Sequence, residues 1–284
     1  QTYSKSYKYF CEGAAPAFLD KGKGAYVWDI DGNRYIDFVL GLGAITIGYN
    51  DARVNKAIIA QLKKGISFSQ PTVLEVELAD KLIKLIPCAE MVKFVKNGSD
   101  ATSAAIRLAR AFTGRDIILC SGYHGWHDWY VGSTENDLGV PGCVKDMTKH
   151  FIYNDICSLE SLLKKYKSKT ACIIMEPVSG NGPERGYLQQ VGRLARRYGV
   201  LLIFDEVVSG FRMGISGAQW YYNVIPDLAS FGKGKANGLA LSAVVGRKDI
   251  MRLIEKGAFI STTFGGESLS LAGALAAIKI LEKK

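Results

Sequence analysis

The chain has 284 residues, 48% of them hydrophobic and 22% charged, so it is long enough to bury a large core and does not have a disordered composition. Its formal net charge is +9, but the basic residues are dispersed on what we interpret as solvated faces, which disfavours nucleic-acid binding. The chain lacks long apolar runs, a signal-like start and CxxC pairs among its six cysteines, which predicts a soluble, cytoplasmic protein with reduced thiols.

The first predicted element is a β-hairpin within residues 24–38. Its two β-prone stretches, residues 26–28 and 34–36, flank the turn sequence Asp31-Gly32-Asn33. The glycine-rich stretch that follows, residues 41–48, lacks the GxGxxG spacing of a dinucleotide loop, so we interpret it as a structural connection. Apolar residues at helical spacing then predict two helices, over residues 51–64 and 72–85.

A candidate anion site follows a predicted strand that runs through Val95. This strand leads into Asn97-Gly98-Ser99-Asp100 and a helix, and we expect Ser99 or Asp100 to cap that helix. Glycine lets the backbone approach an anion, and the first amides of a helix bind one, so a phosphate fits here. A plain strand–cap–helix junction has the same pattern and remains the alternative.

Aromatic and acidic side chains follow the next two predicted strands. A strand ending at Cys120 precedes Tyr123 and Trp126, whose rings could stack on a flat ligand or could be ordinary core or rim residues. His124, His127 and Asp128 would need a further ligand to hold zinc, and no other spacing supplies one. The apolar strand of residues 170–175 ends at Glu176-Pro177.

Two later segments place an acid and a lysine at strand ends. The buried run of residues 200–204 ends at Asp205, and the run of residues 228–231 ends at Gly232-Lys233-Gly234, which predicts an exposed amine on a tight loop. Asp205 could simply cap a helix, and Lys233 could be a solvated turn residue. An acid beside a ring nitrogen and a lysine that forms a Schiff base are, however, the protein groups that pyridoxal phosphate chemistry requires.

These candidates are far apart in sequence, but each directly follows a predicted strand. Strands that alternate with helices over more than ~150 residues favour a doubly wound α/β fold with a mostly parallel sheet. Such a sheet brings the ends of its strands to one edge, where ligands bind. We therefore expect the candidate residues to meet at that edge.

The segments FDEVVSGFR (residues 204–212) and PDLASFGKGKANG (residues 226–238) resemble those of the class III (subgroup II) pyridoxal phosphate aminotransferases. These two segments are most similar to those of glutamate-1-semialdehyde 2,1-aminomutase and its relatives. The resemblance extends from about residue 24 onward and includes the motifs YHG at 123–125, EPV-x-GN at 176–181 and TFGG at 263–266. It implies a fold-type I transferase of three α/β/α layers, a pyridoxal 5'-phosphate cofactor and a homodimer.

The resemblance also implies a role for each matching residue. Lys233 would carry the cofactor as a Schiff base and then move the substrate proton, while Asp205 would keep the ring nitrogen protonated. Lys235 is a second candidate amine, but the motif aligns Lys233 with the catalytic position. The remaining cofactor-binding positions are Gly98 and Ser99 for the phosphate, Tyr123 and Val207 for the two ring faces, Glu176 nearby, and Thr263 for the phosphate of the neighbouring subunit.

Departures from the family pattern bear on the reaction and on the domains. The aminomutase's amino-terminal serine and arginine are replaced here by a segment without arginine before Arg34, so we favour transfer between an amino donor and a carbonyl acceptor. An intramolecular aminomutase, with Arg212 or a further domain gripping the carboxylate, and a noncatalytic binding protein are the alternatives. We expect residues 1–45 to form part of a small domain, 46–268 the cofactor domain, and 269–284 the start of a helix leading to a carboxyl-terminal domain absent from this chain.

Overall fold

The architecture comes from a computed structural model that describes residues 15–283. The strands are β1 (Leu19–Lys23), β2 (Tyr26–Asp29), β3 (Arg34–Ile36), β4 (Met91–Val95), β5 (Ile117–Ser121), β6 (Thr148–His150), β7 (Thr170–Met175), β8 (Leu201–Glu206), β9 (Leu228–Phe231) and β10 (Ser242–Gly246). The helices are α1 (Leu40–Gly43), α2 (Ala52–Leu62), α3 (Val73–Leu85), α4 (Gly98–Thr113), α5 (Asp128–Val131), α6 (Gly142–Lys145), α7 (Ile156–Lys165), α8 (Tyr187–Tyr198), α9 (Gly217–Tyr221), α10 (Lys248–Met251) and α11 (Ser268–Leu281). Two 3-10 turns span Lys233–Ala236 and Arg252–Lys256.

The main sheet has seven strands in the order β4-β10-β9-β8-β7-β5-β6. Strands β9, β8, β7, β5 and β6 pair in parallel, which confirms the predicted mostly parallel sheet. Strand β10 is the exception, because it runs antiparallel to both of its neighbours, β4 and β9. The sequence could not reveal this reversal, since a strand buried on both faces is a continuous apolar run in either direction.

Two hydrophobic cores lie on opposite faces of this sheet. Along β8, Leu202 and Phe204 belong to one core, whereas Leu201 and Ile203 belong to the other. Helices α3, α7, α8 and α11 cover the first core, and α4 and α10 cover the second, which produces the three expected layers. Within residues 15–283, no helix is both long and apolar enough to cross a lipid bilayer.

The predicted hairpin and helices are present, and the structure adds strands that the sequence pattern missed. Strands β2 and β3 form the hairpin, and β1 extends it to a separate three-stranded sheet. The sequence of β1, LDKGK, has no β-prone alternation, so its pairing depends on its neighbour. Helices α2 and α3 lie within the two predicted ranges.

The carboxyl ends of β5, β7, β8 and β9 meet at one edge of the main sheet, because these strands are neighbours and run in the same direction. Tyr123 follows β5, Glu176 follows β7, Asp205 lies within the last two residues of β8, and Lys233 follows β9. This edge is where open α/β sheets bind their ligands.

Candidate active site

A cavity of about 300 Å³ opens at this edge of the sheet. This volume lies at the lower end of the range of about 300–1,000 Å³ that small-ligand pockets occupy. The predicted residues that line it are Gly98, Ser99, Tyr123, Glu176, Asp205, Val207 and Lys233. The structure therefore brings together seven of the eight proposed site residues, and Thr263 is the one that it places elsewhere.

The carboxylate of Asp205 is buried at the end of β8, where its partner is a histidine. His124 Nδ1 lies 2.8 Å from Asp205 Oδ2, and the backbone amide of Val207 donates to Asp205 Oδ1 over 3.1 Å. An ionised carboxylate only accepts hydrogen bonds, so with Asp205 in that form Nδ1 of His124 is the donor of this contact. These two bonds fix the orientation of the Asp205 side chain toward the cavity wall.

Lys233 begins the 3-10 turn after β9, and its side chain is half-buried. The expectation of an exposed amine was wrong, because the sequence shows the flexible glycines on either side but not the cavity walls around the side chain. Burial lowers the pKa of the Lys233 amine, an effect that the nearby carboxylates of Asp205 and Glu176 partly oppose. The backbone φ of Lys233 is +34°, an unusual value for a residue other than glycine.

The first turn of α4 forms the part of the cavity where we expect an anion to bind. The cap of this helix is Asn97, not Ser99 or Asp100 as predicted, and Asp100 contributes by accepting the Asn97 backbone amide over 2.8 Å. Ser99 lies inside the first turn, and its Oγ accepts a hydrogen bond from the Trp126 amide over 3.3 Å. A Cβ at Gly98 would lie only 3.0 Å from Val207 Cγ1, so glycine allows this close approach.

Tyr123 and Glu176 meet at the mouth of the cavity. The Tyr123 backbone amide donates to Glu176 Oε2 over 2.9 Å, which joins the loops after β5 and β7. The Tyr123 side chain is 62% exposed and lines the cavity, so it is a rim residue. Trp126 is also exposed but does not line the cavity, so neither residue belongs to the core. Burial raises the pKa of the Glu176 carboxyl, which makes it more easily protonated than an exposed glutamate.

Thr263 is exposed and lines a second cavity of about 580 Å³. The walls of this cavity include Phe68, Gln70, Glu75 and Val76, and none of them lines the cavity beside Lys233. Thr263 therefore lines a different cavity from the other site residues within one chain.

Arg212 braces two loops near the site. Its Nη1 donates to the Val208 carbonyl oxygen over 2.9 Å, and its Nη2 donates to the Gly43 carbonyl oxygen. Burial lowers the pKa of this guanidinium. Both terminal nitrogens are thus engaged by backbone oxygens, which favours a structural role over the carboxylate grip that we considered for Arg212.

Sequence reasoning missed two side chains of the site. His124 was considered only as a zinc ligand, although its place in the YHG motif, beside Tyr123, was a usable signal. Lys96 also lines the cavity, where its amine donates to the Ala240 carbonyl over 2.7 Å and pairs with Glu267 Oε2 at 3.0 Å. Its partners lie more than a hundred residues away, so no local pattern could have identified them.

The residues of the cavity fit a flat, cationic ring that carries a phosphate. The buried Asp205 carboxylate suits a protonated ring nitrogen, and the first amides of α4 at Gly98 and Ser99 suit the phosphate. Lys233 lies on the wall of the same cavity. Pyridoxal phosphate has this combination of a ring nitrogen, an aldehyde and a phosphate.

Comparisons with known proteins agree with this chemistry. The model of the aminotransferase class-III family matches residues 9–284. A 3-aminobutyryl-CoA aminotransferase of Cloacimonas acidaminovorans is 45% identical over 96% of this chain and 67% of its own length. A glutamate-1-semialdehyde 2,1-aminomutase of Lachnoclostridium phytofermentans is 39% identical over 95% of this chain and 68% of its own.

A solved structure extends the likeness to three dimensions. The pyridoxal phosphate internal aldimine form of the Sphingopyxis sp. MTA144 FumI protein matches with a TM-score of 0.93 and 28% identity, over 100% of this chain and 69% of its own. The chain thus spans about two thirds of the length of the relatives that it matches.

Proposed function

Because the chain belongs to the class III aminotransferases, we propose that the cavity beside Lys233 is its active site, with Lys233 and Asp205 as the catalytic residues. The family uses pyridoxal phosphate to move an amino group between a small-molecule donor and a carbonyl acceptor, and this chain is an enzyme of that type. The observation that carries the assignment is the shared cavity of Lys233 and Asp205, at the ends of two adjacent parallel strands.

Five further residues would hold the cofactor. Gly98 and Ser99 would present the first amides of α4 to the phosphate, and Val207 and Tyr123 would hold the two faces of the ring. Glu176 would help to hold the ring and holds the Tyr123 loop through its 2.9 Å hydrogen bond. His124 does not touch the cofactor in this proposal, because its role is to orient Asp205.

The bound cofactor supplies an electron sink for the electron pair that remains when the substrate carbon loses a proton. Lys233 Nζ accepts that proton from the carbon that bears the amino group. Its lowered pKa raises the fraction of neutral amine, the form that can accept a proton, at a given pH. Asp205 keeps the ring nitrogen charged, since a neighbouring carboxylate favours the protonated form.

The test of the site is to locate the covalent link between protein and cofactor. The purified protein is reduced with borohydride, and the modified peptide is identified by mass spectrometry in Lys233→Ala and, as the matched control, Lys235→Ala. We expect the label to disappear in Lys233→Ala only, while phosphate-held cofactor still binds to that variant. A label lost in Lys235→Ala but kept in Lys233→Ala would refute the assignment.

The reaction proposed is the transfer of an amino group between two substrates. Both terminal nitrogens of Arg212 are engaged with backbone oxygens, which disfavours bidentate binding of a substrate carboxylate. One relative is named a 3-aminobutyryl-CoA aminotransferase. An amine or ketone that is joined to a thioester is therefore a specific candidate substrate. A polar, sugar-like carbonyl compound is the second candidate. The aminomutase reaction is the less favoured alternative.

Reaction type is tested with the full-length protein in parallel incubations. Glutamate-1-semialdehyde is supplied alone, while 3-aminobutyryl-CoA with 2-oxoglutarate, and glutamate with several sugar ketones, are supplied as pairs. We expect turnover only with a donor–acceptor pair. Rapid formation of aminolevulinate from the semialdehyde, without any reaction of an external donor, would restore the aminomutase.

The active enzyme would be a homodimer in which Thr263 binds the phosphate held by the neighbouring subunit. Two observations support this arrangement: Thr263 lies away from the cavity of its own chain, and the wall of its cavity exposes the apolar residues Phe68 and Val76. The cytoplasmic location and the domain limits at residues 45 and 268 remain predictions from the sequence.

Subunit exchange tests the shared site. A Lys233→Ala chain mixed with a Thr263→Ala chain yields heterodimers that have one site with both lesions and one with neither. We expect each variant to be impaired alone and activity to return partly on mixing. No recovery in heterodimers verified by mass spectrometry would mean that Thr263 acts within its own subunit.

A further inference from the structure

The stretch of residues 45–48 packs directly on the turn that begins with Lys233. Thr46 Oγ donates to the Gly234 carbonyl oxygen over 2.8 Å. A Cβ at Gly234 would lie 2.6 Å from Thr46 Oγ, and a Cβ at Gly238 would lie 2.8 Å from Ile45 Cδ1. The glycines of the KGKANG sequence therefore make room for this stretch, which we interpreted from the sequence as a structural connection.

Asn237 ties the two segments together with every polar group of its amide. Its Oδ1 accepts from the backbone amides of Thr46 and Ile47, over 2.9 and 3.0 Å, and its Nδ2 donates to the Gly48 carbonyl over 2.9 Å. The residues joined are about 190 positions apart in sequence. The bonds are partly buried, so water competes with them less than it would at the surface.

The turn that these bonds hold is conformationally demanding. Lys233 has φ +34° and Asn237 has φ +48°, so a residue other than glycine adopts a positive φ at each end of the turn. Asparagine tolerates this left-handed region, but a lysine there persists only where its surroundings hold it. Gly43, two residues before the stretch 45–48, accepts a hydrogen bond from Arg212, which lies in the loop after Asp205.

We infer that Asn237 is a positioning residue, which acts through residues 46–48 to set where the Lys233 amine stands in the cavity. This inference rests on the proposed role of Lys233. Asn237 does not line the cavity, so its influence on the reaction must pass through the backbone of the turn. Loss of its three hydrogen bonds would let Lys233 relax away from its position without removing any group that touches substrate or cofactor.

The substitution that tests this is Asn237→Gly, because glycine keeps the backbone conformation at φ +48° and removes all three bonds. Asn223→Gly is the matched control: Asn223 has a similar φ of +53° but lies after α9, outside the turn. We expect Asn237→Gly to lower kcat about 10- to 100-fold with little change in KM, since misplacement of about 1 Å can cost that much. Asn223→Gly should leave kcat unchanged.

A second readout needs no cofactor. The acetylation rate of Lys233 in the cofactor-free protein is followed by mass spectrometry as a function of pH, which reports the pKa of this amine. Burial lowers that pKa in the intact protein, so we expect it to move up toward the ordinary lysine value in Asn237→Gly, when the turn opens to solvent. Asn237→Asp, which retains the acceptor oxygen but loses the donor, should show a smaller shift.

A merely structural Asn237 would give a different result. A lower melting temperature in Asn237→Gly together with unchanged kcat and an unchanged Lys233 labelling profile would overturn the inference. Should Asn237→Gly fail to fold, Thr46→Val and Asn237→Asp remove single bonds, and normal kcat and labelling in both would overturn it equally. Failure of the proposed function is distinguishable, because it would appear as borohydride labelling that persists in Lys233→Ala.

Discussion

Lys235 shows at the scale of one residue how differently two neighbouring lysines can be placed. Its side chain is 0% exposed, and its amine lies 3.5 Å from the Phe231 carbonyl oxygen, a long contact. Burial lowers the pKa of this amine well below its usual value, and the charge of Lys96 adds to the effect. Burial therefore disfavours the charged form of Lys235, at a cost to stability.

We predict that Lys235→Met stabilises the protein by about 1–3 kcal/mol at neutral pH, the range found for buried polar groups that lack good partners. Between the lowered folded pKa and the ordinary value of 10.5, the unfolded chain binds a proton that the folded chain does not. The Lys235 contribution therefore makes stability rise with pH across that window, and Lys235→Met should remove this rise. Urea denaturation at several pH values measures both effects, and an unchanged slope would contradict the prediction.

Asp205 is predicted to matter through its charge and not through its shape. Asp205→Asn preserves the side-chain size, so the fold should remain, while turnover falls by about 10²–10³-fold, as when other charge-stabilising groups are removed from active sites. Asp227→Asn is the control, because Asp227 is an acid that directly precedes β9 and bonds Arg247 and the Leu202 amide. Steady-state kinetics and melting temperatures decide: near-normal turnover in Asp205→Asn would refute its role.

The residues at the strand ends could be predicted to different degrees. Asp205 and Lys233 follow short apolar runs, so their place at the sheet edge was readable locally. The bond between His124 and Asp205 joins positions 81 apart, and it depends on the order of strands β5, β7 and β8 in the sheet. The burial of Lys235 was equally invisible, because GKGK presents two lysines in the same local setting.

At the scale of one element, the first turn of α4 is predicted to bind the cofactor phosphate. Gly98→Ala places a methyl group about 3.0 Å from Val207 Cγ1, so either the helix or Val207 must shift. We expect cofactor affinity to fall about 10-fold, which corresponds to about 1.4 kcal/mol, with the melting temperature of the cofactor-free protein nearly unchanged.

The double variant Gly98→Ala/Val207→Ala provides the control for this steric explanation. Removal of the Val207 methyl groups gives the new Cβ of residue 98 its space but also removes the proposed ring contact. In titrations of the cofactor-free protein with pyridoxal phosphate, Gly98→Ala should therefore cost less affinity in the Val207→Ala background than in the parent protein. If Gly98→Ala binds the cofactor as tightly as the parent protein, the close approach at Gly98 has no function.

Element boundaries were harder to predict than element types. The helices α2 and α3 have regular apolar spacing and were predicted within two residues of their ends. The cap of α4 was placed two or three residues late, because Asn97, Ser99 and Asp100 are all good cap residues and only the backbone conformation distinguishes them. Strand β1 was missed because its partner, not its own residues, makes it a strand.

At the scale of the whole molecule, we predict that the face around the second cavity mediates self-association. Phe68 is 53% exposed on the cavity wall, whereas Phe112, 41% exposed, lies in the last turn of α4. Phe68→Asp should shift the protein to monomers in light scattering and abolish most activity, because a buried charge without a partner is costly. Phe112→Asp should remain associated and active. A Phe68→Asp protein that stays associated would place the interface elsewhere.

The reversed strand β10 has a consequence for how the enzyme is made. Strand β4, which leads into the turn proposed to bind phosphate, has β10 as its sheet neighbour, and the residues that pair are about 150 positions apart. A ribosome that adds about 5–20 residues per second needs roughly 8–30 s to cover that distance. During this time the apolar strand β4 has no partner, and the turn beside it has no fixed place relative to Lys233. The nascent chain would therefore complete the proposed anion site late, since β4 stays without its sheet partner until β10 emerges.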